Sequence, residues 1–125
     1  MITSSNPVEI INQLKAIVGS QNYIEDTSQM ESYLNDARGL FHGMSPLILK
    51  PLNSEMVSAI VTLCNEASIG IVPQGGNTGL VGGSVPSKSG LEVVISLERM
   101  NKVIDIDPIN YTMTLEAGCI LSDVQ

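Results

Sequence analysis

The stretch VPQGGNTGLVGGSVP, residues 72–86, constrains this chain more than any other part of it. It holds five glycines and no charged residue, and it lies between two apolar segments. Glycine permits positive φ and close approach of backbone to a ligand, at an entropic cost that folding otherwise avoids. Successive amides in such a turn converge into an anion-binding nest. No Lys or Arg occurs between Pro51 and Ser87. An anion here would therefore be held by amide dipoles and by side chains such as Gln74, Asn77 and Thr78. Read instead as plain turn chemistry, the loop only redirects the chain, and the residues alone leave both readings open.

Two familiar phosphate motifs are excluded. A P-loop needs a Gly-Lys-Ser/Thr ending, and none occurs. A dinucleotide fingerprint opens a helix, whereas GGNTGLVGG leads into SVPSKSG, which is not helical in character.

The flanking segments indicate what the loop is mounted on. Asn6-Pro7 followed by Val8, Ile10, Ile11, Leu14, Ile17 and Val18 predicts an amphipathic helix capped by Asn6 and ended by Gly19. Ser28 with Glu31 forms a capping-box pattern, which predicts a short helix over 28–35. Residues 36–45, DARGLFHGMS, read as an irregular connection. PLILKP at 46–51 suits a brief strand. Met56, Val57, Ile60, Val61, Leu63, Cys64 and Ala67 recur at helical spacing, with Asn53 or Ser54 as cap and Gly70 placed to help end the helix. A buried strand over 69–73 follows, and a connection of this length makes the two strands parallel.

Beyond the loop, LEVVISL at 91–97 is another apolar strand. VIDID at 103–107 and YTMTLEA at 111–117 alternate around turn residues 108–110 and predict an antiparallel hairpin. The fold class is α/β passing to α+β: a small parallel β-α-β subdomain with N-terminal helices, then the start of an antiparallel subdomain. The expected division is an N-terminal helical segment 1–45, a first subdomain 46–100 and the beginning of a second at 101–125. Ser122 and Asp123 resemble a helix start, so the chain is expected to be the N-terminal piece of a longer protein.

Composition narrows the function. A net charge of −7 argues against an electrostatic grip on nucleic acid or an anionic membrane, and one Phe, three Tyr and no Trp leave little for base stacking. The two cysteines, Cys64 and Cys119, lack CxxC or metal-ligand spacing, and there is one histidine. A disulfide framework or metal site is therefore not expected. No secretory signal or membrane-length apolar run is present, so a reducing, cytoplasmic location is expected.

The loop VPQGGNTGLVGGSVP closely resembles the pyrophosphate-binding loop of FAD-linked oxidases of the vanillyl-alcohol oxidase type, with its PCMH-type FAD-binding domain. More narrowly, it resembles the D-lactate and D-2-hydroxyglutarate dehydrogenase branch. The similarity extends through YLNDARGLFHGMSPLILKP, GLEVVISLERMNKVIDID and TMTLEAGCILSDVQ, over residues 33–125. SLERMNKVIDID favours this branch over the flavin reductase of peptidoglycan precursor synthesis. The resemblance implies two α/β subdomains with FAD between them and oxidation of a D-2-hydroxy acid to a 2-oxo acid by hydride transfer to the flavin. It also implies cofactor-binding roles for Gly75, Gly76, Asn77, Thr78 and Gly79, then for Pro73, Gln74, Leu80, Gly82, Gly83, Ser84 and Gly118. Glu116 and Ala117 adjoin this last position.

Catalytic residues and any metal ligands are expected in a later substrate domain that binds the small 2-hydroxy acid, so none is assigned here. A truncated chain is expected to expose apolar surface and self-associate. The alternative is a stand-alone α/β interaction module that retains the loop without flavin; such a chain is expected to be a monomer with a polar surface.

Arg38 in NDARGLF, beside Ala37 where relatives carry an aromatic, suits either a substrate carboxylate or a salt bridge anchoring its segment. His42 reads as a loop histidine and Cys119 as a small apolar filler. The charged segment 98–102 reads as a solvated connector with no assigned role.

Overall fold

The computed structural model describes residues 7–36, 38–77 and 82–120; Asn6, Ala37, Thr78, Gly79, Leu80, Ser122 and Asp123, named above, lie outside the described residues. Helix α1, Pro7–Val18, turns the stripe of Ile10, Leu14 and Val18, spaced four positions apart, into the core. Gly19 ends it at φ 91°, its amide bonded to Lys15 O at 3.0 Å.

The helix expected over 28–35 is broken into a 3₁₀ turn, Thr27–Gln29, and a single turn, α2, Glu31–Leu34. Ser28 is not the cap. Its amide and hydroxyl both donate to Asp26 Oδ1, at 3.0 and 2.8 Å, so Asp26 caps the turn. Met30, 1% exposed, sits at the joint with its side chain in the core.

Helix α3, Ser54–Ala67, starts at Asn53, whose side chain accepts from the Met56 amide at 2.9 Å. It ends at Ser68 in the left-handed region, φ 58°, and not through Gly70 as expected. The Ile69 amide closes onto Cys64 O at 2.8 Å, which completes the helix before Gly70 is reached.

Four strands form the main sheet: β1 (Tyr23–Ile24), β2 (Ile48–Leu49), β3 (Gly70–Gln74) and β4 (Glu92–Ser96), in the order β1-β2-β4-β3. Strands β2, β4 and β3 are parallel, as expected, but β4 is inserted between the two strands that flank α3. The antiparallel edge strand β1 is too short to carry a periodic signal. Helices α1 and α3 cover one face through Leu14, Ile60 and Cys64 against Leu47, Leu49, Val93 and Ile95. Met30 and Leu34 cover the other, against Ile48, Val72 and Val94. Burial on both faces explains why Val93, Val94 and Ile95 are continuously apolar.

The expected hairpin is present as β5 (Val103–Asp107) and β6 (Thr112–Leu115). An irregularity between Val103 and Asp105 places Val103 and Ile106 on one face with Leu115 and Met113, and Asp105 and Asp107 on the other with Thr114 and Thr112. The apolar face is open, with Ile106 57% exposed.

Leu14, with no exposed surface, bridges α1 to the sheet. Leu14→Ala is expected to lower stability by about 2–5 kcal/mol, and Asn53→Ala by about 1 kcal/mol. Urea unfolding of both variants checks the ranking, because the first removes core volume and the second a single cap.

Candidate functional site

The three parallel strands deliver their carboxyl ends to one edge of the sheet. Lys50 follows β2; Gln74 closes β3 and leads into Gly75 and Gly76; Ser96 closes β4 ahead of Glu98. Gln74 and Ser96 are ladder partners, and the Leu97 amide donates to Gln74 O at 2.9 Å. Ligands of open parallel sheets bind outside this edge, where the connections of neighbouring strands diverge. Here α3 joins β2 to β3, whereas the glycine loop joins β3 to β4. A cleft of about 440 Å³ opens at this edge, lined by Gln74, Gly75, Gly76, Ser96 and Glu98, with Gly118 and Cys119 on the hairpin side.

The side chains of the loop face inward. Gln74, 3% exposed, donates both amide hydrogens to backbone carbonyls, Tyr33 O at 2.9 Å and Ser84 O at 2.8 Å. Asn77, at φ 57°, does the same toward Ser32 O at 3.0 Å and Asn35 O at 2.6 Å, and its Oδ1 accepts from the Ser84 hydroxyl at 2.8 Å. Each amide has two donors, and both are engaged. Both side chains thus spend their donors on the protein and anchor the loop to α2 and to residue 84.

What remains open to a ligand is backbone. A Cβ on Gly75 or Gly76 would meet nothing within 4 Å, and neither amide has a hydrogen-bond partner among the described residues. Gly118 differs: a Cβ there would lie 1.6 Å from Leu97 O, so its smallness serves the approach of the hairpin to the end of β4. Its amide donates to Met100 O at 2.8 Å. Pro73 and Gly83 are exposed, and Gly82 and Ser84 are half-buried behind the loop.

The two sides of the loop differ in charge. On the α2 side lie Glu31 and Asp36, and Asp36 Oδ2 is buried without a hydrogen-bond partner. An anion is disfavoured there. On the cleft side, Lys50 Nζ is 3.8 Å from Glu98 Oε1 and 5.6 Å from the centre of the Tyr33 ring. The fold thus brings Lys50, which stands well before the loop in the chain, beside Glu98 at this cleft. The cleft face, with its open glycine backbone and nearby ammonium, fits an elongated phosphate ester better.

Segment 98–102 is solvated as expected, with Glu98, Arg99, Asn101 and Lys102 exposed, but it also contributes to the cleft. Glu98 and Asn101 line the cleft, and Met100 is buried. Glu116 Oε1 accepts from the Lys102 amide at 2.9 Å, which ties the hairpin to this junction. No local pattern announces these roles, because they depend on β4 lying between β2 and β3. Arg38 and His42 are exposed, and His42 Nδ1 contacts Asn35 Oδ1 away from the cleft.

Tyr33 donates its hydroxyl to Glu98 Oε1 across the cleft wall. Desolvation first, then the hydrogen bond and the charge of Glu98, push its phenol from 10.0 up to about 12. The folded state thus binds this proton more tightly, so the stabilisation is intact below about pH 10 and is lost as pH rises through about 12. An ultraviolet absorbance titration should show one tyrosine ionising near pH 12, absent in Tyr33→Phe. In Glu98→Gln its midpoint should fall but stay above 10.0, because desolvation remains.

Residues 45–125 match the FAD binding domain family. The chain is 40% identical over 114 residues to a mitochondrial D-2-hydroxyglutarate dehydrogenase of Arabidopsis thaliana, covering 91% of this chain and 20% of that protein. It is 43% identical over 95 residues to a D-2-hydroxyglutarate–pyruvate transhydrogenase of Saccharomyces cerevisiae, covering 76% of this chain and 19% of that protein. The chain thus spans about a fifth of the length of these curated relatives. Among solved structures, p-cresol methylhydroxylase superposes with a TM-score of 0.81 at 24% identity, covering 98% of this chain and 24% of that one. Alkyldihydroxyacetonephosphate synthase gives 0.81 at 24% identity, covering 99% and 25%. The sequence match, the shared fold and the glycine edge of the sheet agree: the chain belongs to the FAD-binding domain family, with the PCMH-type fold.

Proposed function

We propose that this chain is the N-terminal FAD-binding portion of a flavin-dependent dehydrogenase that oxidises a D-2-hydroxy acid to a 2-oxo acid. The observation that carries the reading is the pair Gly75-Gly76 at the carboxyl end of β3, with its backbone open to the cleft. When bound, FAD supplies the hydride acceptor of such a reaction. The chain's part is to hold the cofactor. Gly75 and Gly76 offer amides to the diphosphate, Gln74 and Asn77 fix the loop, and Ser84 braces Asn77. Pro73, Thr78, Gly79, Leu80, Gly82 and Gly83 complete the loop in this reading, and Gly118 brings the hairpin to the cleft.

In this reading residues 46–100 form the first subdomain, with residues 1–45 laid onto it through α1 and β1, and residues 101–125 open the second. The small 2-hydroxy acid is bound by a substrate domain beyond residue 125. A cytoplasmic setting belongs to the same reading, of which the free thiols of Cys64 and Cys119 support only the reducing part. Burial pushes the Cys64 thiol up to about 11, which keeps it unreactive at neutral pH.

Titration of the chain with FAD, followed by quenching of flavin fluorescence, tests the cofactor reading. Saturable binding is expected, with a loss of at least tenfold in Gly76→Asp, which places a carboxylate where the phosphates would lie. Absence of binding in this chain and in a longer one carrying the rest of the domain would remove the flavoprotein reading. The open apolar face of β5–β6 supports self-association with a second copy in the absence of the remaining domain. Sedimentation velocity should then show mass rising with concentration, and Ile106→Lys should abolish the rise.

A further inference from the structure

Glu98 is the one carboxylate among the described residues that lines the glycine cleft, and the way it is held is unusual for a surface acid. Three groups converge on its Oε1: the Tyr33 hydroxyl, the Ser96 hydroxyl at 3.2 Å and Lys50 Nζ at 3.8 Å. They come from α2, from the end of β4 and from the end of β2, so the carboxylate is fixed to three parts of the framework. Oε2 has no hydrogen-bond partner among the described residues. Fixing the orientation beforehand removes part of the ordering penalty a flexible glutamate would meet on binding.

An ionised carboxylate only accepts hydrogen bonds. Beside a nest suited to phosphate, a bare negative charge would oppose the ligand. The Lys50 ammonium offsets that charge, which leaves an acceptor suited to a neutral donor next to the phosphates. In a flavin nucleotide the neutral donors closest to the diphosphate are the hydroxyls of the sugar chains on either side of it.

Resting on the cofactor reading above, we propose that Glu98 is a recognition residue of this cleft. Held through Oε1 by Tyr33, Ser96 and Lys50, it accepts a hydrogen bond through Oε2 from a sugar-chain hydroxyl of FAD. Tyr33 and Lys50 are positioning residues: the first orients the carboxylate and the second balances its charge.

The test measures affinities of the chain and of Glu98→Ala for FAD, ADP, FMN and inorganic pyrophosphate by calorimetry, with circular dichroism as the folding control. Glu98→Ala is expected to bind FAD about tenfold more weakly, the scale of one charge-assisted hydrogen bond, and pyrophosphate no more weakly than the parent. A matching loss for ADP alone assigns the hydroxyl to the ribose of the adenylate half, and a loss for FMN alone assigns it to the ribityl chain. Either outcome supports the proposal. FAD affinity that is unchanged or increased in Glu98→Ala overturns it and makes Glu98 a charge that the site tolerates. An equal loss for pyrophosphate also overturns it, because Glu98 would then act by shaping the loop. If Glu98→Ala fails to fold, Glu98→Gln, which keeps an acceptor for Tyr33 and Ser96, takes its place with the same criteria. Failure of the unsubstituted chain to bind FAD would instead overturn the cofactor reading, and this inference with it.

Discussion

The site depends on the parallel ladder between β3 and β4. Five residue pairs, from Gly70 with Glu92 to Gln74 with Ser96, set these strands in register so that both end at the same height. Because the strands are parallel, their continuations leave the sheet on one side, and the glycine loop and Glu98 become neighbours across a cleft. An antiparallel pairing would send them to opposite ends. Satisfaction of the Gln74 amide then locks the arrangement. Its two hydrogens reach Tyr33 O and Ser84 O, so the start of the loop, its far side and α2 are held by one buried group. Leaving such a group unsatisfied is destabilising by about 1–3 kcal/mol, which gives the loop a defined path despite its glycines.

This division of labour clarifies how a loop without basic residues can serve an anion. Side-chain donors at Gln74 and Asn77 are turned inward to stabilise the loop, and the backbone amides at Gly75 and Gly76 are left without a partner among the described residues. The balancing positive charge comes from Lys50 at the end of β2, brought close by strand order. Acidic residues are partitioned as well: Glu31 and Asp36 lie on the α2 side, and the cleft side carries Glu98 paired with Lys50. A chain with net charge −7 thereby presents a face compatible with a phosphate ester.

Much of this was legible in the residues. The 3.6-residue spacing of Ile10, Leu14 and Val18 marked α1, and Asn53 marked the start of α3. The alternation in VIDID and in the segment after Tyr111 marked the hairpin. The errors share a cause. Ser28 and Glu31 form a capping pattern, but Asp26 competes for the Ser28 donors and Met30 is drawn into the core. Gly70 is a plausible helix end, but the Ile69 amide closes the helix one residue earlier. In both, a nearby group won a competition that local propensity does not rank. The roles of Glu98, Tyr33 and Lys50 had no sequence signal, because these residues meet only through the sheet.

By itself, the sequence determined α1, α3, the apolar strands, the hairpin and the permissive loop, because apolar periodicity, capping residues and glycine act over a few neighbours. Its resemblance to flavin-dependent dehydrogenases also pointed to the cofactor. Only the tertiary structure decided that β4 enters between β2 and β3, that Gln74 and Asn77 face inward, and that Lys50 and Glu98 stand beside the glycines. Those outcomes rest on long-range hydrogen bonding and on burial of both sheet faces, which join residues far apart in the chain, as Tyr33 and Glu98, 65 positions apart, show.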